Sequence, residues 1–215
     1  MSTLNLRNPL KLLSTGLKLL STGLMLFGLL FTLPAAAADA AASPKVVVET
    51  TVNDILAILR KPDFDLARDR ETIKAKIVAA FDDTAMAQSV LSTAWRDASK
   101  EQQEEFKNLL LQTIEDTYLD RVQEYTNETV EFRDEEIRDN RATVNTVVIT
   151  KNGNIPVNYK LRKRNDGRWL VYDVEVENVS MVSSYRDSYR EIVSRDGLDG
   201  LLEQMRAKAA PVPEV

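Results

Sequence analysis

Residues 141–178, RATVNTVVITKNGNIPVNYKLRKRNDGRWLVYDVEVEN, decide the fold. Apolar and polar residues alternate along them, and turn signals interrupt the runs at Asn152-Gly153 and Asp166-Gly167. A period of two between Asn-Gly and Asp-Gly pairs predicts strands joined as antiparallel hairpins. The expected strands are 141–151, 155–164 and 168–178, with a further one at 129–137. Alternation places Tyr159 and Leu161 inward and Lys160, Arg162 and Arg164 outward. On the last strand Leu170, Tyr172, Val174 and Val176 share one face, and Trp169, Val171, Asp173 and Glu175 the other.

On both sides of this meander the period is helical. No Gly occurs from 29 to 152 and no Pro from 63 to 155, so breakers are absent where long helices are expected. Val48, Val52, Ile55, Leu56 and Leu59 form one stripe, and Ile73, Ile77 and Phe81, with Ala80 alongside, a second. Ser99 followed by Gln102 is a capping-box pattern. It opens a helix of more than 20 residues with Phe106, Leu110, Ile114, Tyr118, Val122 and Tyr125 on one face, widened by Leu109, Leu111 and Leu119. Downstream, Met181, Tyr185, Ser188, Tyr189 and Ile192 make a stripe that stops near Gly197. Leu198, Leu201, Leu202 and Met205 make a last short helix. The order predicts an α+β fold with helices laid over one face of an antiparallel sheet.

Composition removes much chemistry. Of 215 residues none is Cys or His, which excludes thiol nucleophiles, disulfides and every His-based general base. The four glycines after residue 28 make no GxGxxG or Walker loop. Residues 1–38 read as a cleaved export signal. Arg7, Lys11 and Lys18 precede an apolar run, Leu19 to Leu33, and then Pro34 and four alanines. The heptad KLLSTGL occurs twice within it. Cleavage there takes three of 28 basic residues and none of 33 acidic ones, leaving a net charge of about −8 on 39–215. Such a chain is repelled by nucleic acid and by anionic membrane. A monomer is expected, with one domain over 39–208 and a loose Pro-rich tail, 209–215.

Local candidates for chemistry are few. Lys160, Arg162, Lys163, Arg164 and Arg168 form a basic run that reads as a solvated edge or as a docking patch for an acidic partner. Asp63, Asp65, Asp82 and Asp83 lack calcium-loop spacing and suit helix starts. There is no G-x-S-x-G, and no S-x-x-K after residue 38.

Two blocks carry a resemblance. FDDTAMAQSVLSTAWRDASKEQQEEFKNLLLQTIEDTYLDRVQEY, residues 81–125, and DGRWLVYDVEVENVSMVSSYRDSYREIVSRDGLDGLLEQM, residues 166–205, resemble the MlaC/toluene-tolerance family of periplasmic phospholipid-binding proteins. The matching positions are Phe81, Asp82, Met86, Trp95, Arg96, Ala98, Gln102, Phe106, Thr117, Tyr118 and Tyr125. Later ones are Trp169, Val171, Tyr172, Asp173, Ser180, Val182, Tyr185, Arg186, Gly197 and Leu198. The sequence departs from the family's pattern at Ser92 and Asn178, where Gly is usual, and at Tyr189, where Phe is.

The resemblance implies an NTF2-like, MlaC-type fold enclosing an apolar lipid pocket. It implies a periplasmic carrier, with phospholipid as cargo and no cofactor, working between an outer-membrane lipoprotein complex and an inner-membrane ABC transporter with an MCE ring. Leu110, Ile114, Val148, Val157, Tyr159, Leu161, Tyr172, Val174, Met181 and Tyr185 are then expected to face a common interior. Lys160, Arg162, Arg164 and Arg186 are expected to meet the partner complexes. Two acyl chains of about 30 methylenes, at roughly 0.8 kcal/mol each, represent on the order of 20 kcal/mol against water, so release has to occur while docked. The rival reading is an NTF2-like enzyme or small-molecule binder using a carboxylate, with Asp173 the candidate.

Overall fold

Helix starts in this chain are set by short polar side chains. Ser43 accepts from the Val46 amide at the start of α1 (Pro44–Leu59), with Pro44 at the first helical position. Asp65 accepts from the Arg68 amide to open α2 (Leu66–Ala80), and Asp82 from the Ala85 amide to open α3 (Asp83–Leu91). Each such cap satisfies an amide that the helix cannot pair itself. A single turn, α4 (Ala94–Asp97), leads to α5 (Lys100–Val122). There Ser99 and Gln102 exchange the reciprocal bonds of a capping box, at 2.9 and 3.1 Å. The computed structural model describes residues 42–122 and 128–209, and the side chains of all these except 119–122. The export signal, Tyr125, the tail beyond Ala209 and the side chains of Leu119 and Val122 lie outside the described residues.

The strands are β1 (Thr129–Arg138), β2 (Arg141–Thr150), β3 (Gly153–Lys163), β4 (Trp169–Val176) and the short β5 (Val179–Ser180). They form one antiparallel sheet in the order β1-β2-β3-β4-β5. The β2–β3 loop is Lys151-Asn152, and Gly153 opens β3 at φ 142. The β3–β4 loop places Gly167 at φ 87, and the β4–β5 turn holds Glu177 and Asn178 at φ 50 and 65. That pair of positive φ values is the requirement of a type I′ turn, where glycine is the unstrained choice.

Two bulges bend the sheet. One lies in β1 between Phe132 and Glu135. The other lies in β4, where Lys160 pairs with Asp173 but Leu161 with Val171, leaving Tyr172 as the extra residue. A bulge shifts the alternation by one, which corrects the faces expected from simple parity. Val171 and Val174 both share a face with Leu161 and Tyr159, whereas Tyr172 turns away. There its hydroxyl accepts from Arg141, whose guanidinium also lies over the ring, 5.4 Å from the centroid.

The last helix, α6 (Met181–Ala209), is two helical pieces meeting at Gly197, which has φ 72 and ψ −179. The apolar interior falls into three clusters. One joins α3, α5 and α6 around Phe106 and Leu201, one joins α1 to the sheet, and one joins α1 to α2 around Ile73.

The α2–α3 link meets the edge of β4 at one dipeptide. Phe81 bridges to Val171, and the Asp82 amide donates to the Val171 carbonyl at 2.8 Å. The Asp82 side chain is fully buried and accepts from Arg164 at 3.0 and 3.1 Å, while Arg162 Nε lies 3.1 Å away.

Two stability outcomes follow from these features. Gly197→Ala forces a side chain into a region open essentially to glycine alone, so urea unfolding should register a loss of about 1–3 kcal/mol. Asp82→Ala removes the α3 cap and the shared partner of two half-exposed arginines, for a loss of about 1–3 kcal/mol. Asp82→Asn, which keeps a capping oxygen, should lose clearly less. Equal losses for the two Asp82 variants would show that the capping oxygen contributes nothing beyond the charge.

Candidate functional site

At the seam between α1 and the sheet, two apolar layers face each other without quite filling the space between them. From α1 come Val48 and Val52, and from the sheet Ala142, Val144, Leu161, Trp169 and Val171, with Phe132, Tyr159 and Val174 at the margins. A small void of about 20 Å³ remains, lined by Val48, Thr51, Val52, Ala80, Phe81, Tyr159 and Val171. That is roughly the room one water-sized probe needs. No charged side chain lines it. Burial pushes the Tyr159 hydroxyl up to about 12, so it stays neutral at any physiological pH. The apolar surface continues along α1 through Leu56, Ile58 and Leu59 to Ile73, with Ile55, Phe64, Ile77 and Val130 packed beside them.

Polar contacts hold α1 at its two ends and not along the seam. The Lys45 amide donates to Glu135, which the β1 bulge has turned toward the helix, and Lys45 Nζ donates to the Arg133 carbonyl. At the other end Arg60 donates to the Glu128 carbonyl. Helix α2 is tied to its neighbours by surface pairs, Lys76 with Asp54 at 2.6 Å, and Arg70 and Lys74 with Glu115. Exposed pairs of this kind contribute about 0–1 kcal/mol each. Burial raises the Glu115 carboxyl, and the Lys74 and Arg70 bonds outweigh it, so its pKa lies below the usual glutamate value.

Of the ten side chains expected to share one interior, seven divide between two clusters. Tyr159, Leu161 and Val174 belong to the seam. Val157, buried, and Val148, half-buried, lie on the same face of β3 and β2. Leu110, Ile114, Met181 and Tyr185 pack instead with α3, α5 and α6. Phe81 touches both clusters. Tyr172 faces away, because of the β4 bulge. The long stripe of α5 is covered by other helices rather than by the sheet, a choice that amphipathicity alone does not make. The residues lining the void that sequence reading left out of the site are Val48, Thr51, Val52, Ala80, Phe81 and Val171. Val48 and Val52 were visible as a stripe, and Val171 was hidden by the parity error.

The basic residues expected to dock a partner each also have a contact within the chain. Lys160 pairs with Asp173 at 3.4 Å and, more closely, with Glu175. Burial lowers the Lys160 ammonium, and these two carboxylates more than offset it, so its pKa stands above the usual lysine value. Arg162 and Arg164 hold Asp82, and Arg186 donates from Nε to the Ser89 carbonyl at 2.7 Å. Asp173, the candidate catalytic carboxylate, is buried and accepts from Ser180 Oγ and the Val182 amide, so it caps α6. Asp82 and Asp65 likewise act as helix caps, and among the described residues no three ligating side chains gather for a metal ion. Among them also, no helix is long and apolar enough to cross a membrane.

Known proteins match this arrangement. The chain is 25% identical to the intermembrane phospholipid transport system binding protein MlaC of Haemophilus influenzae, over 86% of this chain and 91% of that one. Its fold is that of the phospholipid-binding protein from Ralstonia solanacearum, solved in complex with a phospholipid. The two overlay with a TM-score of 0.72 at 23% identity, covering 78% of this chain and 97% of the other. The family described as MlaC protein matches residues 49–207, from the first turns of α1 to the end of α6, and the chain belongs to that family.

Proposed function

We propose that this protein is a periplasmic phospholipid carrier whose acyl chains lie in the seam between α1 and the sheet. The observation that carries the proposal is an apolar seam with an unfilled void, no charged lining and two neutral hydroxyls, Tyr159 and Thr51, the latter bonded to the Val47 carbonyl. A binding site for saturated chains needs apolar walls and nothing that leaves a polar group unpaired once water is expelled. The transport protein and the lipid-bound structure to which the chain is similar support the same reading.

A void of about 20 Å³ does not hold an acyl chain. Loading therefore requires the α1–α2 layer to lift from the sheet. The apolar contacts across the seam are non-directional and are replaced one for one by methylene contacts when a lipid enters. The bonds at Lys45 and Arg60 keep the helix ends in register with β1 while the middle moves, and the weak surface pairs of α2 let it follow.

An acyl pair held this way leaves water-borne release too slow to matter. Transfer would occur on docking to an outer-membrane lipoprotein complex at one end and an inner-membrane ABC transporter with an MCE ring at the other. The acidic balance of the chain keeps the carrier off anionic bilayers between the two.

Mature protein purified without detergent should yield phospholipid on organic extraction, read by mass spectrometry. No extracted lipid, and none taken up from vesicles, would sink the carrier reading. Val52→Glu puts a carboxylate into the seam, so lipid occupancy should fall about tenfold or more while circular dichroism stays that of the folded protein. Thr51→Phe fills the void and should also lower occupancy. Full occupancy in both variants would place the acyl chains elsewhere.

A further inference from the structure

A second cleft, of about 280 Å³, lies between the end of α3 with its following turn and the first half of α6. Its chemistry differs from that of the seam. Val90, Leu91 and Val193 supply apolar walls, together with Tyr189, whose ring packs edge-on against Phe106. Arg186 and Arg190 supply positive charge, and no carboxylate lines the cleft. The Nε of Arg186 is committed to the Ser89 carbonyl, and among the described residues no acid pairs with this guanidinium. Arg190 reaches only Asp187, at 3.5 Å, with side chains 70% and 71% exposed, a pair of little strength. Two arginines without a firm partner thus stand beside one apolar cleft in a chain of net charge −5.

The lip of the cleft is strained. Ser92 has φ 53 and ψ −116, a conformation in which a residue other than glycine stores energy. Such strain gathers where a surface is held in shape for a ligand. The volume falls below the roughly 300–1,000 Å³ of clefts that enclose drug-sized ligands, so a two-chain lipid is not swallowed here. It suits one large apolar side chain, the kind of anchor that dominates a protein interface. Guanidinium forks beside it favour carboxylates, which they grip in bidentate fashion.

We propose that this α3–α6 cleft docks a partner protein through one large apolar side chain flanked by carboxylates. The inference deepens the carrier reading by giving the docked state a place on the surface, and it rests on that reading only for what docking accomplishes. It also moves the docking site from the β3–β4 hairpin, whose arginines are held by Asp82, to Arg186 and Arg190.

The test uses full mature protein, isotope-labelled for NMR, and a synthetic peptide with one Phe between two pairs of Glu. Amide resonances of Leu91, Thr93, Ala94 and Arg190–Ser194 should move on titration. A peptide with Lys in place of Glu should not move them. Arg190→Glu should weaken binding of the acidic peptide about tenfold or more, and Arg190→Gln somewhat less. Val193→Ser should weaken it through the apolar half, with circular dichroism confirming the fold of each variant. Unmoved resonances with the acidic peptide, or equal binding of the Lys peptide, would overturn the proposal. So would shifts at these residues produced by phosphatidylglycerol vesicles or inorganic phosphate but not by the peptide. Bound phospholipid, extracted from the same samples, should be equal in all variants. Its absence from every sample would sink the carrier reading and leave the cleft to be judged by the peptide alone.

Discussion

The buried carboxylate of Asp82 ties the helical layer to the edge of the sheet. Asp82 closes the link between α2 and α3, caps α3, and is held by Arg162 and Arg164 from the β3–β4 hairpin. A charge removed from water is tolerated only when paired and hydrogen-bonded, and both conditions are met at one place. The adjacent Asp82 amide and Phe81 bind the exposed edge of β4, which would otherwise offer unpaired backbone to other chains. With the helices pinned at that corner, Phe81 is set between the seam and the α3–α5–α6 cluster.

The rest of the seam has a different character. Directional bonds fasten α1 at Lys45 and Arg60, and α6 starts on the Asp173 cap. Between those anchors only apolar contact holds α1 to the sheet. Contact of that kind is proportional to area and indifferent to geometry, so an acyl chain can replace a neighbouring valine at small net cost. A packed interior resists opening, because voids cost stability. The division of labour between polar ends and apolar middle is therefore what the proposed lipid site, which has to open and reclose, requires.

Charge is divided in a similar way. Basic side chains of the β3–β4 hairpin are spent internally: Lys160 on Asp173 and Glu175, Arg162 and Arg164 on Asp82. The acidic surplus is left to face solvent, and positive charge is weakly partnered at Arg186 and Arg190 beside an apolar cleft.

Local sequence settled the identity of the elements. The Asn152-Gly153 and Asp166-Gly167 signals, the Ser99/Gln102 capping box and the stop at Gly197 each depend on a few neighbouring residues, and each sits where the sequence placed it, apart from a shift of one residue in the first hairpin loop. The apolar stripes of α1 and α5 were legible for the same reason. What covers a stripe is not local: Leu110 and Ile114 meet α3 and α6 rather than the sheet, because any apolar face satisfies another equally well. A bulge has no signature in an alternating pattern, so one extra residue at Tyr172 exchanged the faces of Val171 and Tyr172. Nor does a run of arginines reveal its partner. Asp82 lies 80 residues before Arg162 in the chain, and only the closing of the helical layer onto the sheet brought the two within 3.1 Å.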